Sequence, residues 1–394
     1  MTNQEQRKIA EGVLTVLLIA NYGFDQQQSM VRVADLLESG LRSMGVKVRV
    51  TRPPLFFGRI LPHRGNLGKW LGYLDKFLLF PVILIRQARD CDLVHIADHS
   101  NAMYGFWLGS KKTVTNCHDL LAIRSALGEF SEHRTGFTGK VLQKWILAGL
   151  RRVGLIACIS EATRQDALRL TGRSEREVSR IYLGLGKIFQ AELERNLQAN
   201  RCELDLSEKA LIDQTAARTE PRSTTYILHV GGETWYKNRA GVLEIYSIVR
   251  KRLGPSSPDL IMVGPQLRNS GDGIFFLQDL SDQDLVILYR QAQLLLFPSL
   301  YEGFGLPVIE AQACGCPVVT TDRAPLTEIG GDGAAYIANP MDSGAAADKV
   351  VEILRLGPAE REQMRKRGFR NAAQFSEPEM TKGYFRLYTA LLAG

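Results

Sequence analysis

The chain has 394 residues, with 49 lysines and arginines against 42 aspartates and glutamates, a formal net charge of +7. Apolar residues make up 45% and charged residues 23%, ordinary globular usage that excludes a disordered, collagenous or extended coiled-coil chain. At roughly 100–200 residues per domain, this length fits two domains.

The chain reads as alternating strands and helices. Leu14 to Ala20 is an unbroken apolar run ending in a turn, the pattern of a strand buried on both faces. Val31 to Met44 has helical spacing and Val46 to Val50 alternates, which completes a β-α-β opening. Further strands are expected at Leu93 to Ile96, Thr113 to Asn116, Leu155 to Ile159 and Val178 to Tyr182. Residues 190–222 are polar with weak periodicity, so a linker is placed at 188–223. A second series follows at Tyr226 to Val230, Leu260 to Val263, Ile274 to Leu277, Leu294 to Phe297, Pro317 to Thr320 and Ala335 to Ala338. Helical stretches separate these strands, so parallel sheets follow. The last twenty residues read as an amphipathic helix (Tyr384, Leu387, Tyr388, Leu391) preceded by Ser376. The domains are therefore 1–187, 224–375 and a terminal helix, 376–394.

Charge divides the same way. Residues 1–190 hold 27 basic and 16 acidic side chains, and residues 191–394 hold 22 and 26. The basic half suits an anionic membrane, an acidic acceptor or nucleic acid. No nucleic-acid motif accompanies it, whereas Leu67 to Phe80 and Lys140 to Arg152 each combine Trp, aliphatics and bases as interfacial helices do. Two core-facing helices would read the same way. The longest apolar run, Phe77 to Ile85, is nine residues and contains Pro81, against about 20 needed to span a bilayer. No signal peptide is evident, so the cytoplasm is the expected location, with the inner face of the membrane as a resting place for the basic half. Six scattered cysteines make no disulfide framework.

The most informative stretch is Phe297 to Pro317, FPSLYEGFGLPVIEAQACGCP. A buried strand ends, a glycine-containing loop follows, and Pro307 marks the start of a helix. The amides of Phe304, Gly305 and Leu306 then form an anion site with the helix dipole behind them. Glu302 and Glu310 cannot themselves bind a phosphate beside it; carboxylates there suit the hydroxyls of a sugar or ribose. The D-x-D strings Asp90-Cys91-Asp92 and Asp282-Gln283-Asp284 are poor metal sites, since Ser281 to Asp284 reads as a helix cap. No full G-x-G-x-x-G or Walker loop is present, which removes dehydrogenase and P-loop readings. Asp98 and His99 follow a strand, where ligands bind in open α/β sheets, and either contact an acceptor or form a plain turn. His229, in a strand, reads as core.

Glu302 to Glu310 (EGFGLPVIE) resembles the E-x7-E signature of the retaining glycosyltransferases of family 4. Residues 226–241 and 279–301 also resemble that family, as do Cys117 to Leu120, Ile159 to Thr163 and Tyr182 to Gly186. The resemblance implies an α/β, GT-B architecture: two Rossmann-like parallel-sheet domains facing a cleft, with the C-terminal helix crossing back to the N-terminal domain. It implies a retaining hexosyltransferase that needs no metal or other cofactor, using a UDP- or GDP-linked sugar. The acceptor would be a saccharide or lipid-linked saccharide, in exopolysaccharide or cell-surface glycan synthesis. Glu302 would hold donor-sugar hydroxyls and Glu310 the ribose, while Lys237 would neutralise the leaving diphosphate. His118 would lie near the transferred sugar, and Gly23 would let backbone approach phosphate or acceptor. Many relatives carry an arginine where this chain has Gly231, so a second cation must come from elsewhere, with Arg239 or Arg268 available. A sugar-nucleotide epimerase, a phosphorylase, or a non-catalytic membrane or carbohydrate binder of the same fold are the rival readings.

Overall fold

The computed structural model describes residues 14–23, 28–59, 71–109, 111–198, 225–267 and 271–393. The chain divides into two compact units, Met1–Gly184 with Glu377–Gly394, and Leu185–Ser376. Each is built on one parallel sheet.

In the first unit the strands are β1 (Thr15–Ile19), β2 (Lys47–Thr51), β3 (Leu93–Ile96), β4 (Thr113–Cys117), β5 (Leu155–Cys158) and β6 (Val178–Arg180). Their order is β2-β1-β3-β4-β5-β6, all parallel. The helices are α1 (Gln28–Ser43), α2 (Phe80–Ala88), α3 (Leu121–Ala126), α4 (Phe137–Leu150) and α5 (Glu161–Thr171). Leu17, Ile19, Val94, Ile96 and Ile156 from the sheet pack with Phe80, Tyr104, Ile146 and Leu150 in one core. Residues 71–74 are helical and lead into a π turn, Asp75–Leu79, that runs into α2. Such a turn carries one extra residue per bond, and here Asp75 points inward while Leu74 and Leu78 stay exposed. The buried Asp75 carboxylate accepts from Tyr22 Oη and from the amides of Phe57 and Gly58, each at 2.9 Å, which ties the chain after β1 to the chain after β2.

In the second unit the strands are β7 (Tyr226–Val230), β8 (Asp259–Val263), β9 (Ile274–Leu277), β10 (Leu294–Phe297), β11 (Val318–Thr321) and β12 (Ala334–Ile337). Their order is β12-β11-β10-β7-β8-β9, again parallel. The helices are α6 (Lys187–Gln198), α7 (Arg239–Leu253), α8 (Asp282–Gln291), α9 (Leu306–Ala313), α10 (Leu326–Gly330), α11 (Ser343–Leu354) and α12 (Pro358–Ala372). Every strand expected from the sequence is present within two residues; the most deeply buried, such as β1 and β10, leave continuous apolar runs.

The linker expectation needs correcting at its start. Residues 187–198 form α6, whose buried positions are Phe189, Glu192 and Leu193. Glu192 is only 2% exposed and is matched by Arg290 of α8 at 3.4 Å. A carboxylate on the core face breaks the apolar period, which is why the helix was hidden in the sequence. Residues 199–224 lie outside the described residues.

The final helix, α13 (Glu377–Ala393), belongs to the first unit, as the crossing-back expectation required. It lies so close to α1 that a Cβ on Gly40 would sit 2.2 Å from Thr381 Oγ1, which is why glycine occupies that position. His95 of β3 is fully buried, with Nδ1 on Tyr388 Oη of α13 and Nε2 2.8 Å from Asn116 Oδ1. Burial lowers its pKa to about 4, so the ring is neutral and links helix to sheet as a hydrogen-bonding group.

Both sheets share a topological feature. Strand order reverses between β1 and β3 in one, and between β7 and β10 in the other. In open α/β sheets, ligands bind outside the carboxyl ends of strands at such points.

Candidate active site

The first switch point gathers residues from three strand ends. Asp98, two residues past the end of β3, accepts from Asn21 Nδ2 at 2.7 Å and from the Ser100 amide at 2.9 Å. Asn101 in turn donates to Asn21 Oδ1 at 3.0 Å. Burial pushes the Asp98 carboxyl upward, but His99, His118 and these donors outweigh it and hold it below its ordinary value. His99 Nδ1 lies 3.3 Å from Asp98 Oδ1, and its ring centre is 6.5 Å from that of His118. His118, directly after β4, donates through Nε2 to the Ala97 carbonyl at 2.8 Å, leaving buried Nδ1 without a partner. Burial lowers the His118 pKa despite the nearby Asp98. Asp98, His99 and His118 are thus one cluster, and Asn21 is the member that sequence reasoning missed. Gly23 follows β1 and is exposed. A Cβ there would meet only Leu55, at 3.7 Å, so packing within this unit does not demand glycine.

The second switch point carries Lys237 and Glu302. Lys237 ends a 3-10 turn, Trp235–Lys237, and Asn238 beyond it has φ of 53°. Asn238 tolerates that left-handed conformation while its amide donates to the carbonyls of Pro298 and Pro340 at 3.1 and 3.2 Å. The loop after β10 is braced further by Thr321 Oγ1 on the Ser299 carbonyl and by Arg323 on the Leu300 carbonyl, both at 2.8 Å. Lys237 Nζ therefore lands 2.7 Å from Glu302 Oε1 and 5.0 Å from the Phe297 ring centre. Glu302 is 6% and Lys237 18% exposed at the side chain, so the pair is largely desolvated.

Gly305, the residue before α9, has φ of 110°, where a side chain would be strained and would meet Leu326 at 2.8 Å. The Phe304 ring is buried edge-on against Phe375 at 5.7 Å, so only its main chain can meet a ligand. Leu306 is the first residue of the helix and Pro307 the second. Glu310, one turn in, is 9% exposed and accepts from Tyr289 Oη at 3.1 Å. Tyr289 is a second residue missed from sequence. Its signal is a tyrosine on the core face of α8, where a buried phenol needs a partner.

Gly231 has a structural cause. A Cβ there would sit 2.9 Å from Nε2 of His229. His229 is fully buried with Nδ1 2.9 Å from the Leu296 carbonyl, and Nε2 has no partner. The imidazole thus occupies the space that a side chain at 231 would need. Arg239, the first residue of α7, is 5% exposed; Nη2 donates to the Pro265 carbonyl at 2.6 Å, while Nε and Nη1 have no partner. Burial lowers its pKa, with Glu233 acting in the opposite direction. Arg268, the other candidate cation, lies outside the described residues. In the second D-x-D string Asp284 completes a capping box with Ser281, and in the first Asp92 accepts from the Thr15 amide at 2.8 Å.

Two family models match the chain: Glycosyltransferase Family 4 over residues 30–185 and Glycosyl transferases group 1 over residues 213–371. The O-antigen chain mannosyltransferase B of Escherichia coli is 34% identical over 178 residues, 42% of this chain and 46% of that protein. The serotype-specific mannosyltransferase WbdA of Escherichia coli is 28% identical over 251 residues, 59% of this chain and 28% of that one. The chain thus spans less than half the length of these relatives. Among solved structures, Anabaena HepE in complex with UDP and glucose superposes with a TM-score of 0.66 at 15% identity, over 95% of this chain and 99% of that one.

Proposed function

The chain belongs to the family 4 glycosyltransferases, with the GT-B fold; on that premise we propose that it moves a hexose, glucose or mannose, from a UDP- or GDP-linked donor to a saccharide or lipid-linked saccharide, retaining anomeric configuration. The observation that carries this reading is the Lys237–Glu302 pair at the start of α9. A cation and helix amides suit a diphosphate, and an adjacent carboxylate suits sugar hydroxyls. Lys237 and the amides of Phe304, Gly305 and Leu306 stabilise the departing diphosphate by preorganised electrostatics, in the role a metal has elsewhere. Arg239 adds positive charge that Gly231 cannot supply. Glu310 accepts from the ribose, His118 lies near the transferred sugar, and Asp98 and His99 contact the acceptor. The mannosyltransferase relatives favour a role in cell-surface glycan synthesis.

The test is a thermal-shift and turnover screen of UDP-, GDP- and ADP-sugars, with and without EDTA. Consumption of one donor only in the presence of acceptor, undiminished by EDTA, is the expected result. A protein that neither binds nor consumes any nucleotide sugar is not this enzyme, and an interconverted donor sugar would make it an epimerase.

The acceptor unit is further proposed to rest on the cytoplasmic face of an anionic membrane. Among the described residues no helix is long and apolar enough to cross one. Leu74, Leu78, Val82 and Ile85 are exposed in a row, as are Phe137 and Val141 of α4. Phe77 and Trp145 join the two elements with ring centres 4.8 Å apart, so Trp145 packs partly inward, unlike the interfacial placing its sequence suggested. Lys140 and Lys144 are exposed beside Val141 and Trp145, and no acid occurs between Glu132 and Glu161. Such a basic and apolar face suits an anionic interface. Leu67 to Trp70 of the first stretch lie outside the described residues. Co-sedimentation with phosphatidylglycerol vesicles but not with neutral ones, lost in Leu78→Glu, is expected; equal recovery with both would contradict it.

A further inference from the structure

We infer that Tyr289 is a positioning residue that aims Glu310 and thereby sets how sharply the donor site tells ribose from deoxyribose. The inference rests on the reading of Glu310 as the ribose carboxylate. Tyr289 is fully buried, and its hydroxyl donates to Glu310 Oε2 at 3.1 Å. Burial, reinforced by the Glu310 charge, pushes its pKa well above the ordinary value, so it is a neutral donor at any working pH.

The phenol is itself fixed from two sides. Phe189 of α6 meets its ring edge-on at 6.2 Å, and the adjacent Arg290 pairs with Glu192 of the same helix at 3.4 Å. Tyr226 of β7 donates to the Leu288 carbonyl at 2.9 Å, which ties α8 to the sheet. The segment that reads as a linker in the sequence therefore begins with the helix behind this tyrosine. A glutamate has three side-chain torsions, and a carboxylate that is to accept from vicinal hydroxyls must be held in one rotamer. A site built to bond a hydroxyl rejects the analogue that lacks it, and it does so only while its own acceptor stays aimed. The fixed phenol supplies that aim without touching the nucleotide.

The experiment is calorimetric binding of UDP, GDP and their 2′-deoxy and 3′-deoxy forms to the wild type, Tyr289→Phe, Glu310→Gln and the double variant. Tyr289→Phe is expected to weaken ribonucleotide binding about tenfold and to narrow the ribo-to-deoxy preference by about the same factor. Its kcat should stay within about threefold of wild type, and in the Glu310→Gln background it should add nothing. Unchanged affinity or preference in Tyr289→Phe overturns the inference, as does a full additional loss on top of Glu310→Gln. If Glu310→Gln alone leaves the ribose preference intact, the reading of Glu310 falls first and this inference with it. Should Tyr289→Phe lose its fold by thermal unfolding, Phe189→Leu, which keeps the hydroxyl and loosens the ring, is expected to shift the preference in the same direction; no shift overturns the inference.

Discussion

Without donor, Glu302 and Lys237 hold each other, so a diphosphate that takes Lys237 must compete with a carboxylate 2.7 Å away. At an effective dielectric near 20, that contact is a gross attraction of about 6 kcal/mol, much of it offset by desolvation of both groups. Once phosphate is on Lys237, the carboxylate is a like charge a few ångströms from it. After screening, this repulsion costs roughly 1–2 kcal/mol. Glu302→Gln keeps the side-chain shape and removes the charge. UDP or GDP should therefore bind the variant about tenfold more tightly, since 1.4 kcal/mol is a factor of ten. Transfer should move the opposite way. Loss of a charged acceptor for a sugar hydroxyl is worth about 1.5–3 kcal/mol, so turnover should fall on the order of 10- to 100-fold. Calorimetry for the nucleotide and coupled release assays for turnover read the two effects separately. Weaker nucleotide binding in Glu302→Gln, or undiminished transfer, would refute the assignment of this pair.

Arg239→Met removes a buried guanidinium with two unpartnered nitrogens. It should weaken UDP or GDP binding about tenfold while leaving the unliganded protein as stable or more so, because an unpaired buried charge costs stability; unchanged binding with lower stability would make Arg239 purely structural. Gly231→Arg should destabilise the fold by about 1–3 kcal/mol through collision with His229, and His229→Ala in the same chain should relieve it; denaturation of both variants decides. Acid should also weaken the fold. Burial lowers the pKa of His95 and of His229 to about 4, so the folded state binds fewer protons than the unfolded one below pH 6.5. Stability is full above the unfolded value and falls as pH drops toward 4, by about 2 kcal/mol per histidine at pH 5. Denaturant curves at pH 7.5 and 5 check this, and a flat profile would contradict it.

Strands such as β1 and β10 were legible because they are buried and leave an apolar run, as in LLLF at β10, while β2 (KVRVT) showed through its alternation. The residues at the strand ends were legible by chemistry, since a glycine loop, a proline and two carboxylates restrict what Glu302 to Glu310 can do. Three features were not. The helix α6 was masked by Glu192, a carboxylate on the core face that pairs with Arg195 on its own helix and with Arg290, remote in sequence. Tyr289 and Asn21 act through hydrogen bonds to Glu310 and Asp98, which no local pattern announces. The reason for Gly231 was equally hidden, because it lies in the orientation of one imidazole two residues earlier. Sequence pattern reports periodicity and local chemistry, while pairing across elements is settled only by the fold.

In the proposed reaction, Lys237 and the start of α9 drive transfer with retention. Proton NMR of the reaction with an α-linked UDP- or GDP-hexose and a saccharide acceptor measures it directly. An α-linked product formed in step with release of the nucleoside diphosphate is expected, with loss of both in Lys237→Met. A β-linked product, or transfer unaffected by Lys237→Met, would contradict it.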